Sequence, residues 1–333
     1  MHTPNPVSLA AKMSGEPEFR EIGVGPWNET HPDQSRPDDP ASPSYDPRLD
    51  TQLLDEGDRR NVLDRYRYWS VAAIKADLDA RGRHDFEVAV ENWTHDFNIG
   101  SMVRTANAFQ ARRVHIVGPH KWNRKGALMT ELYSHVEHHP SISELVECWR
   151  NRIAGEIAAE RARAGAAAIR AHEIAAASKN AGGVSGDFAS NCGKDNIVEV
   201  GQTAEYDDTL VCVESTATSA SQPANKANEA VAAVAKATAE IACADARIRE
   251  LESARVIALD IIPGAVPIET YCFPKRCLLL FGAEGPGLSQ KALDLADDVV
   301  YISQFGSVRS INAGAAAAVA MHAWITQHAA PVV

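Results

Sequence analysis

The sequence has few aromatic residues, no long apolar run and no closely paired cysteines, and each shortage excludes a class of protein. Aromatic residues make up 6% of the chain, and alanine supplies much of its 45% hydrophobic content. No apolar run approaches the roughly 20 residues that a membrane helix needs. The six cysteines show no CxxC spacing, and the N-terminus lacks the basic and then apolar run of a signal peptide. These absences predict a cytoplasmic protein with reduced thiols.

The charge is distributed unevenly along the chain. The net charge of −11 argues against a protein coated in nonspecific basic charge. Residues 97–130 nevertheless contain no acid. The basic residues of this segment are Arg104, Arg112, Arg113, Lys121, Arg124 and Lys125. Such a segment is either an ordinary solvated surface or a patch that follows the phosphates of a nucleic acid.

Composition divides the chain into three kinds of segment. Residues 1–58 contain nine prolines and few aliphatic residues, which predicts a disordered acidic tail. Residues 151–253 contain 28 alanines and two aromatic residues, which predicts an alanine-rich helical insertion outside the core. The remaining residues, 59–150 and 254–330, are predicted to form one domain.

Apolar periodicity predicts an α/β fold in that domain. Residues 86–93, a helix over 99–109 and residues 113–117 give a β-α-β order, which favours a parallel sheet. Dense apolar runs over 255–262 and 277–281 are typical of buried parallel strands. A helix near 288–295, a short strand over 299–302 and a final helix over 311–327 complete the prediction.

Three short motifs could support chemistry. The first runs from Asn98, a potential helix cap, through Arg104 to Phe109. The second is the glycine-rich turn Phe281–Leu288, which contains Glu284. The third leads from Ile302 through Ser310, a potential cap of the last helix, to Asn312. Each motif alone is also compatible with a plain capped helix, a surface charge or a structural turn.

Taken together and in this order, the three motifs resemble those of the SpoU/TrmH family of SPOUT RNA methyltransferases. The resemblance covers residues 87–140 and 256–328. It implies a parallel sheet flanked by helices, with a C-terminal stretch threaded into a deep trefoil knot, a rarity among proteins. It also implies a homodimer, S-adenosylmethionine as cofactor, and methyl transfer to a ribose 2′-hydroxyl of tRNA or rRNA.

The resemblance also implies roles for individual residues. Arg104 matches the family's catalytic arginine, and the matching polar positions of the active site are Asn98, Glu284, Ser310 and Asn312. The positions that match cofactor contacts are Gly282, Ile302 and Ile311. The third motif departs from the family, because Ile-Ser-Gln replaces Ile-Pro-Met and Ser-Ile-Asn replaces Ser-Leu-Asn. Because the family holds its cofactor mainly through backbone contacts, cofactor binding should tolerate both changes.

The residues leave two other functions to weigh. One alternative is a noncatalytic RNA-binding protein that retains the knotted fold, against which the intact Arg104, Glu284 and Asn312 argue. The other is a dinucleotide-dependent dehydrogenase, which fails because the sequence has no GxGxxG after the first strand with an acid beyond it. No metal is expected, because His135, His138 and His139 would present only two ligands from a helix and no cysteine pair accompanies them.

Overall fold

The computed structural model describes residues 5–16, 22–93, 98–181 and 222–331. Its helices are α1 (Pro6–Met13), α2 (Trp27–Thr30), α3 (Thr51–Glu56), α4 (Val71–Ala80), α5 (Ile99–Ala108), α6 (Ile142–Ala181), α7 (Gln222–Glu252), α8 (Gln290–Leu295) and α9 (Ala313–His328). Its strands are β1 (Phe86–Glu91), β2 (Val114–Val117), β3 (Val136–His139), β4 (Arg255–Leu259), β5 (Val266–Pro267), β6 (Cys277–Phe281) and β7 (Asp298–Tyr301). Within these residues no helix has the length and apolar character that crossing a bilayer requires.

The strands form a parallel sheet of order β3-β2-β1-β6-β4-β7-β5. Val88 of β1 pairs with Val114 of β2 on one side and with Leu279 of β6 on the other. The predicted parallel sheet with flanking helices is therefore confirmed. Parallel strands buried on both faces need continuous apolar residues, which β6 and most of β4 supply.

The two faces of the sheet differ in chemistry. Phe86, Val88 and Val90 of β1 join the main apolar core with residues of α5 and α9, including Trp324. Side chains alternate between the two faces along a strand, so Glu87 points to the other face, where it is fully buried. A carboxylate can stay buried there because it is paired with charged and hydrogen-bonding groups.

Glu87 is held by two such groups. Its carboxylate forms an ion pair with Arg276 at 2.8 Å and a hydrogen bond with His115 at 2.7 Å. Burial by itself would raise the pKa of Glu87, but the hydrogen bond from His115 and the charge of Arg276 outweigh it and lower the pKa to about 2. The carboxylate therefore remains charged in the folded protein at neutral pH.

The described residues divide into two compact units, one containing residues up to Arg152 and from Ser253 onward, the other Ile153–Glu252. In the second unit Arg161 pairs with Glu252 at 2.9 Å, and Arg170 pairs with Glu240 at 2.6 Å. This pairing shows that α6 and α7 run antiparallel. Buried alanines such as Ala167 and Ala244 permit their close approach. The middle of the predicted insertion lies outside the described residues.

The structure differs from the predicted disorder over residues 22–58. Asp58 is fully buried, accepts a hydrogen bond from the Tyr68 backbone N–H at 3.0 Å and pairs with Arg60 at 2.7 Å. The Tyr68 hydroxyl donates to the Gly25 carbonyl, and the Trp27 ring contacts the Tyr68 ring edge-on. Hydrogen bonds and aromatic contacts order this segment. The prediction of disorder was based on its low aliphatic content and did not take these two kinds of contact into account.

Truncation of the N-terminal segment should separate its two parts. Removing residues 1–16 should leave the melting temperature unchanged, because α1 buries no residue. Removing residues 1–57 takes away the buried Leu54 and the partners of Tyr68, and should lower the melting temperature by about 5 °C or more. Thermal unfolding followed by circular dichroism measures both, and equal melting of the two truncated proteins would contradict the role given to residues 22–57.

Candidate active site

The three motifs meet at the carboxyl edge of the sheet. The first motif opens α5 after β1, the second follows β6, and the third connects β7 to α9. Because parallel strands all end at the same edge, segments that follow neighbouring strands come together there. β1 and β6 are neighbours, which brings the first and second motifs to the centre of that edge.

One polar side chain from each motif joins a single cluster. The Asn98 side-chain amide donates to the Glu284 carboxylate. The Asn312 amide Nδ2 lies 3.0 Å from Asn98 Oδ1 and 3.2 Å from Glu284 Oε2. Glu284 and Asn312 are exposed and Asn98 is partly so. The cluster is an oriented carboxylate, held by two amides, that a ligand can reach from solvent.

The helix caps differ from those predicted. Asn98 occupies the N-cap position of α5 without a side-chain cap hydrogen bond, because its amide is engaged by Glu284 and Asn312. Asn312 caps α9, its Oδ1 accepting from the Ala315 backbone N–H at 3.1 Å. The prediction that Ser310 caps this helix is therefore wrong. Ser310 is exposed, and α9 starts too late for its side chain to cap the first turn.

The glycine-rich turn of the second motif folds tightly back on itself. Gly285 and Gly287 have φ angles of +94° and +75°, which glycine adopts without steric cost. A Cβ atom on Gly282 would lie 2.0 Å from the carbonyl carbon of Gly287. The turn that presents Glu284 can therefore close only with glycine at position 282.

The third motif offers free hydrogen-bonding groups. Ser303 is tied down, since its hydroxyl donates to Glu269 at 3.0 Å. Hydrogen bonds from its own backbone and from Ser303 lower the pKa of Glu269. The buried Oε1 of Gln304, by contrast, accepts no hydrogen bond from any described residue. Ile302 and Ile311 are partly buried, and Ile302 packs against the main core.

Arg104 lies on the exposed side of α5, outside the cluster. Its guanidinium makes no hydrogen bond or ion pair with any other residue that the structure describes. Ser101 lies one turn before it on the same face, and a Cβ on Gly314 at the start of α9 would approach the Ser101 hydroxyl to 2.8 Å. This face of α5 therefore points toward the start of α9, which leaves the guanidinium free to meet a ligand there.

The acid-free segment separates into paired and unpaired cations. Arg112 pairs with Asp85 at 2.8 Å and Arg113 with Glu137 at 2.9 Å. Lys121, Arg124 and Lys125 are exposed and form no ion pair with the described part of the chain. A Cβ on Gly100 would lie 2.9 Å from the Asn123 carbonyl oxygen, so this basic loop packs on the first turn of α5. Positive charge therefore borders the candidate site.

Trp122, in the same loop, is a packing residue. It is 9% exposed and belongs to the main core, with the Arg124 guanidinium 5.9 Å from its ring. Its ring is therefore not free to stack on a base.

Sequence reasoning missed a buried contact beneath the site. Glu91, at the end of β1, accepts hydrogen bonds from the Ser289 backbone N–H at 2.7 Å and from the Ser289 hydroxyl at 2.8 Å. The Trp93 indole donates to the same carboxylate at 3.0 Å. Glu91 thereby fixes the end of the glycine-rich turn to the strand that leads into the first motif. The available signal was the presence of two acids, Glu87 and Glu91, in a strand whose other residues are apolar.

Comparison with known proteins agrees with this geometry. Residues 194–322 match the sequence model of the SpoU rRNA Methylase family, an interval that contains the second and third motifs. The resemblance to the SpoU/TrmH family is confirmed. The first motif lies before the matched interval, so the SpoU assignment of Asn98 and Arg104 depends on the motif itself and on the contact of Asn98 with Glu284.

Individual relatives are similar over limited lengths. A tRNA (guanosine(18)-2′-O)-methyltransferase of Saccharomyces cerevisiae is 33% identical over 81 residues, which are 24% of this chain and 6% of that protein. The chain thus matches only a small part of that curated relative.

Two solved structures show distant likeness. The SpoU methyltransferase AviRb from Streptomyces viridochromogenes is 19% identical, with a TM-score of 0.39 over 74% of this chain and 58% of that one. The TrmH/SpoU tRNA modifying enzyme of A. aeolicus is 11% identical, with a TM-score of 0.43 over 77% and 81%. Likeness at these scores establishes neither a shared substrate nor a shared assembly.

Proposed function

We propose that this protein transfers a methyl group from S-adenosylmethionine to a ribose 2′-hydroxyl of tRNA or rRNA. The observation that supports this most is the joining of Asn98, Glu284 and Asn312, one from each SpoU motif, in one solvent-accessible cluster. Residues 98, 284 and 312 are far apart in sequence, and a capped helix or a structural turn alone would not require them to meet. The proposal extends to a homodimer and to a trefoil knot in the third motif, as the resemblance implies.

The residues at the third motif fit the cofactor. Within the described residues, the backbone of residues 304–311 takes part in no hydrogen bond with other backbone groups, so its donors and acceptors are available. The unpartnered oxygen of Gln304 can accept a hydrogen bond from an amino group, and S-adenosylmethionine has two. Gly282, Ile302 and Ile311 would hold it. The cofactor supplies a methyl group on a positively charged sulfur, which an oxygen nucleophile can displace.

The protein's own residues then have to position the hydroxyl and stabilise charge. In the transfer a C–O bond forms, the C–S bond breaks, and the hydroxyl proton must leave. The resemblance assigns to Arg104 the task of accepting that proton or of stabilising the developing negative charge. A guanidinium is a poor base because it is a stable cation, so we assign Arg104 to docking the phosphate and stabilising the developing negative charge. The Glu284 carboxylate, oriented by two amides, can accept a hydrogen bond from the hydroxyl and take up its proton as the C–O bond forms.

The surroundings of the site suit an RNA substrate. The exposed cations Lys121, Arg124 and Lys125 lie on the loop packed against α5, where they can follow phosphates that lead to the ribose. Residues 59–150 and 254–330 would form the catalytic domain. We assign the 151–253 segment to RNA docking, because the chemistry does not need it.

A methylation assay with the full chain tests the proposal. Protein, S-adenosylmethionine with a labelled methyl group, and unmodified tRNA or rRNA should give RNA-dependent incorporation at ribose, detected as a nucleotide linkage resistant to alkali. RNA with a 2′-deoxy nucleotide at the mapped position is the matched control and should accept no methyl group. Binding of both RNA and cofactor without any transfer would favour the noncatalytic RNA-binding alternative, and failure to bind the cofactor would refute the assignment.

A further inference from the structure

Three potential metal ligands converge on the sheet face opposite α5 and α9. His115 of β2 pairs in register with Glu137 of β3, and His139 follows Glu137 by two residues, so all three side chains share one face. His115 Nδ1 and His139 Nε2 are 3.1 Å apart. Glu137 Oε2 lies 3.6 Å from the first nitrogen and 3.7 Å from the second. We propose that His115, Glu137 and His139 bind a zinc ion.

The separations of the three ligand atoms match the size of zinc. A circle through three points 3.1, 3.6 and 3.7 Å apart has a radius of about 2.0 Å, and zinc bonds to imidazole nitrogen and carboxylate oxygen have this length. One ion can therefore contact all three atoms at bonding distance with little movement of the backbone.

A buried carboxylate sets the form of His115 that a metal requires. His115 Nε2 lies 2.7 Å from Glu87 Oε2, and both side chains are fully buried. Glu87 also pairs with the Arg276 guanidinium, so the carboxylate accepts the Nε2 hydrogen and leaves the lone pair of Nδ1 facing His139 and Glu137. Metal-binding histidines usually donate their second ring N–H to such a carboxylate.

The charges around the cluster select among metals. Arg113 and Arg152 both contact Glu137, and Arg276 contacts Glu87, which gives three guanidinium groups to two carboxylates. Calcium and magnesium need several carboxylate or carbonyl oxygens, whereas this cluster offers one carboxylate, already paired with arginines, and two imidazoles. Zinc bonds strongly to neutral imidazole, and a carboxylate oxygen with two lone pairs can serve the ion and Arg152 together.

A fourth ligand can come from solvent. His139 and Glu137 keep 8% and 30% of their side chains exposed. Arg152, which contacts Glu137, also lines a surface groove together with Glu144 and Cys148 of α6. Water entering there would complete four-coordination, and the ion would tie β3, the edge strand of the sheet, to β2.

Zinc titration of the metal-free full chain by calorimetry tests the proposal. We expect one equivalent to bind, with at least a tenfold weaker Kd in His139→Ala and in Glu137→Gln. His138→Ala is the matched control, because His138 is exposed and points to the other face of β3; its zinc affinity should equal that of the wild type. Cobalt(II) in place of zinc should give the visible absorption of a four-coordinate site.

Two results would overturn the zinc assignment. One is the absence of zinc binding to the wild type, and the other is equal affinity in the wild type and Glu137→Gln. If His139→Ala fails to fold, Glu137→Gln and the cobalt spectrum still decide, because Gln keeps the size of the side chain. Neither readout depends on methyl transfer, so the outcome is independent of the proposed activity.

Discussion

Arg104→Ala is expected to lower the rate of methyl transfer about 100- to 1000-fold, the usual effect of removing one group that stabilises charge in a transition state. Arg104 is exposed on α5 and has no partner among the described residues, so its loss removes a charge from the site without leaving another group unpaired. The Kd for S-adenosylmethionine should stay within about threefold, since the backbone-held cofactor does not need the arginine. Single-turnover methylation and cofactor calorimetry measure the two quantities separately.

Two further variants sharpen this test. Lys291→Ala removes an exposed positive charge from α8, which is outside the proposed machinery, and should transfer methyl groups at the wild-type rate. Arg104→Lys keeps the charge but loses the planar fork and should recover only part of the rate. A wild-type rate in Arg104→Ala would show that the assignment of this residue is wrong.

Gly282→Ala is expected to abolish cofactor binding and to destabilise the protein. The added Cβ would lie 2.0 Å from the Gly287 carbonyl carbon and 2.2 Å from the Leu288 backbone nitrogen, and both atoms are backbone. The turn must open to relieve this overlap, at a cost of roughly 1–3 kcal/mol or more. Opening the turn displaces Glu284 from Asn98 and Asn312. Calorimetry with S-adenosylmethionine and thermal unfolding should both show the loss.

Gly155→Ala is the control for the glycine substitution. Gly155 lies on α6, and a Cβ there would meet no atom within 4 Å. Alanine favours a helix over glycine by about 1 kcal/mol, so this variant should be as stable as the wild type or more so. Unchanged cofactor affinity in Gly282→Ala would mean that the closed turn is not required for binding.

The central strands and the glycine-rich turn were predictable because their signals are local. An apolar run such as 277–281 indicates a strand buried on both faces, whatever position that strand takes in the sheet. The tail was predicted less well, because the order of residues 22–58 depends on contacts of Asp58 and Gly25 with Tyr68. Composition describes how much apolar surface a segment has. It does not identify the residues elsewhere in the chain with which that segment forms contacts.

The sequence by itself determined the β-α-β pattern, the positions of the three motifs and the residue types that each contributes. Only the tertiary structure decided which side chains meet. Asn98 bonds to Glu284, 186 residues away, and to Asn312, 214 residues away, because β1 and β6 are neighbours in the sheet. Asn312, rather than Ser310, caps α9, its Oδ1 accepting from the Ala315 backbone N–H. Burial follows from the period of the sequence, whereas the pairing of distant polar groups follows from strand order, which no local pattern encodes.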